Sequence, residues 1–288
     1  MKKKIKYKKS IVTFFDILGF EKRVDKPGKP EELYAILNNF KHQSDPEMFG
    51  PSLTKFTNFS DTTVRTTTIT SKENRNYQVG ILFHELLDLI YTQTRLINIG
   101  VFIRGGVVIG DIYHDRDIVF GPGLNEAYRL EKEIAIYPRI IIDPEVLKVA
   151  EREPLLKASH HDIPTEMEYL RGLVRESSDG VWFLDYLWAS REEFNDPYEY
   201  GQFLLTHKKR VLDCVASQGT LDKVSAKYLW TVHYHNDVVG RIRAKVLLEL
   251  CGLEKSQLII TRNEIKSLYK FKIKKAPVLD LSKRAIRR

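Results

Sequence analysis

The sequence predicts an α+β fold, a mixed sheet carrying helices, followed by a mostly helical C-terminal extension. Two observations lead to it. In the first half, short apolar and β-branched runs such as 11–16, 101–109 and 139–142 alternate with stretches of helical spacing. Beyond residue 180 or so, the strand-like runs give way to long helical segments.

The elements follow in order. Residues 11–16 read as a buried strand that ends at Gly19. Pro27, Gly28 and Pro30 mark a loop, and 31–42 carries helical spacing through Leu33, Ile36, Leu37 and Phe40. Residues 53–59 and 62–69 read as a hairpin with Asp61 at its tip, followed by a polar loop over 70–76. A long amphipathic helix over 77–99 places Ile81, Leu82, Leu86, Leu89, Ile90 and Leu96 on or near one face. A strand over 101–109 continues into a hairpin through 113–119. A helix over 124–134 and a strand over 139–142, ended by Pro144, complete the set. This is close to a ferredoxin-like order, with helices expected on one face of the sheet. From 150 to 180 the pattern weakens to a polar connection, 181–187 reads as a further strand, and 198–215 and 221–250 read as helices. The division is therefore a core over 1–150 and a mostly helical extension over 151–288, with a soft boundary and a core the two parts can share.

With 288 residues and 43% hydrophobic content, the chain can bury a sizeable core. Cys214 and Cys251 fall in helical segments without metal-ligand spacing, which fits a reduced, cytoplasmic setting. The basic start resembles the head of a signal peptide, but the apolar run after it is short and contains Asp16, so export is not expected; nor is a membrane span. Much of the net charge of +8 lies in 2–9 and 270–288, which read as solvated tails. No base-reading motif accompanies it, so nucleic-acid binding is not expected, whereas a polyphosphate substrate would benefit from the basic field.

Two acids are conspicuous. Asp16 ends an apolar run, and Asp61 sits between two strands that would lie beside it. Two such carboxylates can share a cation, and Mg²⁺ takes oxygen ligands of this kind; each can equally cap a turn. A second cluster runs through Arg104-Gly105-Gly106 and then from Phe120-Gly121-Pro122-Gly123 to Glu131. Glycines on a strand permit close approach, and the Gly121–Gly123 segment opens a helix whose N–H groups favour phosphate. Asn125 and Arg129, four apart, share a helical face that suits ribose and phosphate; Arg129 can equally pair with Glu126 or Glu133. Arg104 can face base or phosphate, or pair with an acid.

Together these residues resemble the class III adenylate and guanylate cyclases over roughly residues 10–145. The matching pieces are Phe15-Asp16-Ile17-Leu18-Gly19-Phe20, Phe59-Ser60-Asp61, and Asn125, Ala127 and Arg129 in an Asn-x-Ala-x-Arg pattern. The resemblance implies a cyclase that works with two Mg²⁺ or Mn²⁺ ions per site. Asp16 and Asp61, with the Ile17 carbonyl, would be the metal ligands. Asn125 would orient the ribose and Arg129 would stabilise charge at the α-phosphate. It also implies a homodimer whose site takes its acids from one chain and Asn125 and Arg129 from the other. The implied substrate-contacting set is Phe15, Thr57, Arg104 and Ile118. At the offsets where purine-using members carry a base-reading lysine and aspartate, this chain has Thr57 and Ile118, which implies a changed base.

A closer resemblance extends over most of the chain, to the bacterial pyrimidine cyclases of the Pycsar anti-phage system. It is carried by Arg104-Gly105-Gly106, Phe120 to Tyr128, Tyr137-Pro138-Arg139, Lys227-Tyr228-Leu229-Trp230 and Tyr234-His235-Asn236. It implies UTP or CTP as substrate, cyclic UMP or cyclic CMP as product, and a separate effector protein that senses it. The competing readings are a purine cyclase with an unusual base pocket and a nucleotide-binding regulator without catalysis. His160-His161-Asp162, Trp182, Trp188, Trp230, His233 and His235 are read as surface or structural residues.

Overall fold

The computed structural model describes residues 5–25, 30–49, 53–70, 78–217 and 223–268. The loops expected around Pro27 and Gly28 and over 71–76, the start of the long helix at Tyr77, and most of the basic tails lie outside them.

The first half contains strand β1 (Lys8–Ile17), helices α1 (Phe20–Val24) and α2 (Pro30–Gln43), the hairpin β2 (Thr54–Phe59) and β3 (Thr62–Thr68), and helix α3 (Ile81–Asn98). Strands β4 (Ile103–Asp115) and β5 (Ile118–Phe120), helix α4 (Pro122–Arg129), a π-helical turn over Leu130–Ile134, strand β6 (Ile140–Ile142) and helix α5 (Pro144–Ala150) follow. The rest comprises α6 (Ile163–Leu173), β7 (Val174–Glu176), β8 (Trp182–Leu184), α7 (Tyr186–Ala189), α8 (Pro197–Ser217), α9 (Lys223–Arg241), α10 (Ala244–Cys251), α11 (Lys255–Leu258) and α12 (Arg262–Leu268). The eight strands form one mixed sheet in the order β2-β3-β1-β4-β6-β8-β7, with β5 paired to β4. The fold is α+β with a helical C-terminal region, and the sheet runs on past residue 150, because β8 pairs with β6.

Strand β1 is antiparallel to both neighbours, with Val12 opposite Thr66 on β3 and Val108 on β4. Alternate side chains of a strand point to opposite faces. Thr13 reaches Glu85 of α3 and Phe15 packs edge-to-face on Phe40 of α2. Phe14 packs edge-to-face on Tyr128 of α4. Helices therefore cover both faces, not the single face expected. Close approach of α4 explains this: a Cβ on Gly106 would lie 2.6 Å from Leu130 Cβ, and one on Gly110 would lie 2.7 Å from Gly123 Cα.

Several boundaries differ from the sequence reading. Strand β4 continues straight through Gly110 and Asp111, because its register with Ser10 and Lys9 holds there. The expected polar connection over 150–180 contains α6 and β7. Asp162 caps α6 by accepting from the Thr165 N–H at 2.9 Å, and buried Met167, Leu170 and Leu173 supply a narrow apolar stripe. The single helix expected over 221–250 breaks after Arg241. Lys255 Nζ donates to the carbonyls of Gly240 and Ile242, both at 2.8 Å, and so satisfies the helix end from far along the chain.

The helical region is tied to the sheet by Arg139, whose side chain is 1% exposed. It forks onto Asp179 at 3.1 and 2.6 Å, and its guanidinium lies among the rings of Tyr137, Phe183 and Trp230. His235 is structural: its Nε2–H donates to the Leu258 carbonyl at 2.9 Å, which leaves its Nδ1 to accept from His207 Nδ1–H at 3.0 Å. His207 Nε2 then accepts from Tyr186 Oη at 2.8 Å. Trp188 is also structural, lying against the guanidinium groups of Arg191 and Arg241. His161 Nδ1 pairs with buried Glu166 at 2.8 Å, and Asp162 is the cap already described.

The histidine pair generates a pH prediction. Burial lowers the His235 pKa from 6.5 to about 4 and lowers that of His207 further below its usual range, with the charge of His235 adding to the effect. Because the folded values are depressed, the pair's contribution to stability is fully present above pH 6.5. It is lost as pH falls towards about 4. Urea unfolding midpoints measured across this range should fall with acid, and less steeply in His207→Gln, His235→Gln.

Candidate active site

The sheet brings Asp16 and Asp61 together at one end. Asp16 lies opposite Thr62 in the β1–β3 register, and the Ile17 N–H donates to the Asp61 carbonyl at 3.0 Å. The tip is a two-residue turn, with Ser60 at φ +54 in the left-handed region that tight hairpins require. The two carboxyl groups feel each other: burial raises the Asp61 pKa, and the charge on Asp16 raises it further.

Arg104 is the cross-strand partner of Asp16 on β4. Its guanidinium forks onto that carboxylate, Nε to Oδ1 at 3.0 Å and Nη2 to Oδ2 at 3.1 Å. Nη2 also lies 2.6 Å from Glu131 Oε1, an ion-pair contact outside hydrogen-bond alignment. Of the readings open for Arg104, this structure realises the pairing with acids. Glu131 sits in the π-helical turn, with 4% of its side chain exposed. Burial and then the charge of Asp16 push its carboxyl up to about 7, against the pull of Arg104 and Lys227. Lys227 of α9 joins the same field: burial and then the charge of Arg104 lower its pKa, while Asp16 and Glu131 act in the opposite direction.

The sequence reading gives Glu131 and Lys227 no role at the site, although Glu131 closes the glycine-rich cluster and Lys227 opens one of the motifs of the closer resemblance. Glu131 had a signal, since it is four after Ala127 and eight after Gly123, both buried, and so lies on the helix face turned to the sheet. No local pattern places Lys227 near the acids, because only the packing of α9 brings it there.

The remaining candidates lie elsewhere. Asn125 and Arg129 are exposed on α4, where Arg129 pairs with Glu126 and Glu133 of its own helical stretch. Thr57 is on β2 and Ile118 on β5, yet the two are neighbours. The Thr57 hydroxyl donates to the Arg116 carbonyl at 2.7 Å and bonds His114 Nε2 at 2.8 Å, in the turn that leads to Ile118. Ile118 is 62% exposed. Phe15 is a correction. Its side chain is 0% exposed, packed into the core beside Phe40, and has no face left for a substrate. A strand alternates faces, so Asp16 at the rim puts its neighbour inside.

Asp16 and Asp61 offer hard oxygen donors that repel without a cation, which fits Mg²⁺ or Mn²⁺ completed by water and phosphate. Among the described residues no group of three or more His, Cys, Asp and Glu forms a ready metal cage, so such an ion would rest on few protein ligands.

No protein-family model and no curated protein matches the chain. Among solved structures it is similar to the guanylyl cyclase Cya2, at 14% identity over 49% of this chain and 78% of that one, with a TM-score of 0.37. The guanylyl cyclase domain of the RhoGC fusion protein from the aquatic fungus Blastocladiella emersonii matches at 13% identity over 62% and 98%, with a TM-score of 0.38. The adenylyl cyclase CyaB from P. aeruginosa matches at 16% identity over 62% and 94%, with a TM-score of 0.36. No helix among the described residues is long and apolar enough to cross a membrane.

The charge cluster makes Glu131 a reporter. Lys227→Met removes a cation that holds its pKa down, so the Glu131 carboxyl should titrate above about 7. The midpoint is read from the infrared band of the protonated acid, assigned by its loss in Glu131→Gln.

Proposed function

We propose that the protein is a class III-type nucleotide cyclase that converts UTP or CTP to the 3′,5′-cyclic monophosphate and pyrophosphate. The observation that carries the reading is the juxtaposition of Asp16, at the end of the central strand, with Asp61 at the hairpin tip beside it. In the reaction, the ribose 3′-oxygen forms a bond to the α-phosphorus. The bond from that phosphorus to the β-phosphate oxygen breaks, and the 3′-hydroxyl proton passes to water. Asp16 and Asp61, with the Ile17 carbonyl, hold the divalent ions, which supply charge neutralisation of the triphosphate and a more acidic 3′-hydroxyl. Asn125 orients the ribose, and Arg129 stabilises the charge that develops at the α-phosphate.

The pyrimidine assignment rests on Thr57 and Ile118. The hydroxyl of one is committed to His114 and Arg116, and the other is apolar, so neither offers a purine the charged readers that purine-using members carry. A homodimer is favoured because Asn125 and Arg129 are solvent-facing. Exposed apolar residues Phe59, Ile118, Phe120 and Tyr128 also border the same hairpins and helix. The cyclic product would act through a separate effector protein in anti-phage defence.

Two experiments test this. With Mn²⁺ and each ribonucleoside triphosphate in turn, cyclic UMP or cyclic CMP should dominate, and Asp61→Ala should lower turnover on the order of a hundredfold or more while leaving the thermal melt intact. A dominant purine product would remove the pyrimidine assignment, undiminished turnover in folded Asp61→Ala would remove the metal assignment, and no cyclic product from any of the four triphosphates would remove the cyclase reading. In the second, Asp61→Ala and Arg129→Ala chains carrying different tags are co-expressed and the doubly tagged dimer is isolated. One of its two sites collects both defects and the other none, so it should recover about half the wild-type activity. Activity as low as in either parent would place the acids and Arg129 in one chain.

A further inference from the structure

We propose that Arg104 is a built-in counter-ion that a divalent cation must displace from Asp16, and that Glu131 receives the displaced guanidinium. The inference rests on the reading of Asp16 and Asp61 as metal ligands.

Arg104 engages both oxygens of Asp16, at 3.0 and 3.1 Å, so the carboxylate proposed to bind metal is already chelated by the chain itself. A guanidinium fork matches a carboxylate edge in a way a single charge does not. A divalent ion arriving at the same oxygens would stand within a few ångströms of that fixed positive charge, and partial burial strengthens the repulsion. The guanidinium can leave Asp16 only if another anion takes it. Glu131 is that anion: its Oε1 is already 2.6 Å from Arg104 Nη2, and with 4% of its side chain exposed it has little water to offset its charge. Asp16, Arg104 and Glu131 are held by different elements, β1, β4 and the π-helical turn, so a shift of the fork from one acid to the other needs side-chain rotation alone. The site therefore selects its cation by competition and does not simply fill an open pair of acids.

The test is Mn²⁺ binding to the full chain without nucleotide, read from the electron paramagnetic resonance of the free ion, with a thermal melt for each variant. Arg104→Met should bind Mn²⁺ about tenfold more tightly than wild type, since the competing charge is gone. Arg104→Lys keeps the charge but lacks the fork, and should also bind more tightly, by a smaller factor; it carries the test if Arg104→Met does not fold. Equal or weaker Mn²⁺ binding in Arg104→Met would overturn the proposal and make Arg104 an orienting partner of Asp16. Wild-type affinity in Arg104→Lys would overturn it too, by showing that field alone and not displacement is at stake. Asp16→Asn and Asp61→Asn should lose the bound ion. If they retain it at wild-type affinity, the metal reading itself falls and takes the proposal with it, an outcome distinct from failure at Arg104.

Discussion

The site depends on one constraint: β1 is a central strand hydrogen-bonded along both edges and covered by helices on both faces. Its two antiparallel registers place Asp16 opposite Thr62 on one side and Arg104 on the other. A slip of one residue would turn Phe15 to the rim and Asp16 into the core beside Phe40, which burial of Phe15 forbids. The apolar residues of β1 therefore hold the acid at the rim, and the acid's neighbours follow from the pairing.

Charge beneath the sheet is handled in the same way. Arg65, with 1% of its side chain exposed, lies between Glu85 and Asp88 of α3. Glu85 also accepts from Thr13, Thr54 and Thr67 at 3.0–3.3 Å. Buried charges of this kind persist only when paired and hydrogen-bonded. This network braces the hairpin that carries Asp61 against α3. The cluster at the rim differs: Asp16, Asp61 and Glu131 outnumber Arg104 and Lys227, and burial raises the pKa of both Asp61 and Glu131. The acid-rich rim is where an added cation would relieve repulsion.

The helical region contacts elements next to the site. Arg139 leads into β6, next to β4, and packs on Trp230 of α9, while Lys227 of the same helix feels the charges of Arg104, Asp16 and Glu131. Glu166 of α6 accepts the Gly80 N–H at 3.0 Å and so fixes the start of α3.

The amino-acid sequence by itself determined most strands and the longer helices of the first half, though not α1, α5 or the unbroken run of β4. Alternating or continuous apolar runs and long 3.6-residue periods leave few other ways to bury Ile11, Val12, Leu86 or Leu89. It also marked Asp16 and Asp61, because an acid ending a core strand or at a hairpin tip breaks a local pattern. Helix α6 was hidden by its narrow stripe, and the break between α9 and α10 by a cap, Lys255, that comes from later in the chain. Only the tertiary structure decided that Phe15 is core, that Arg104 forks onto Asp16, that Glu131 touches it, and that Lys227 arrives from α9. Those are distances between residues far apart along the chain. Local pattern encodes which face a side chain takes, while sheet register and helix packing decide which charge it meets.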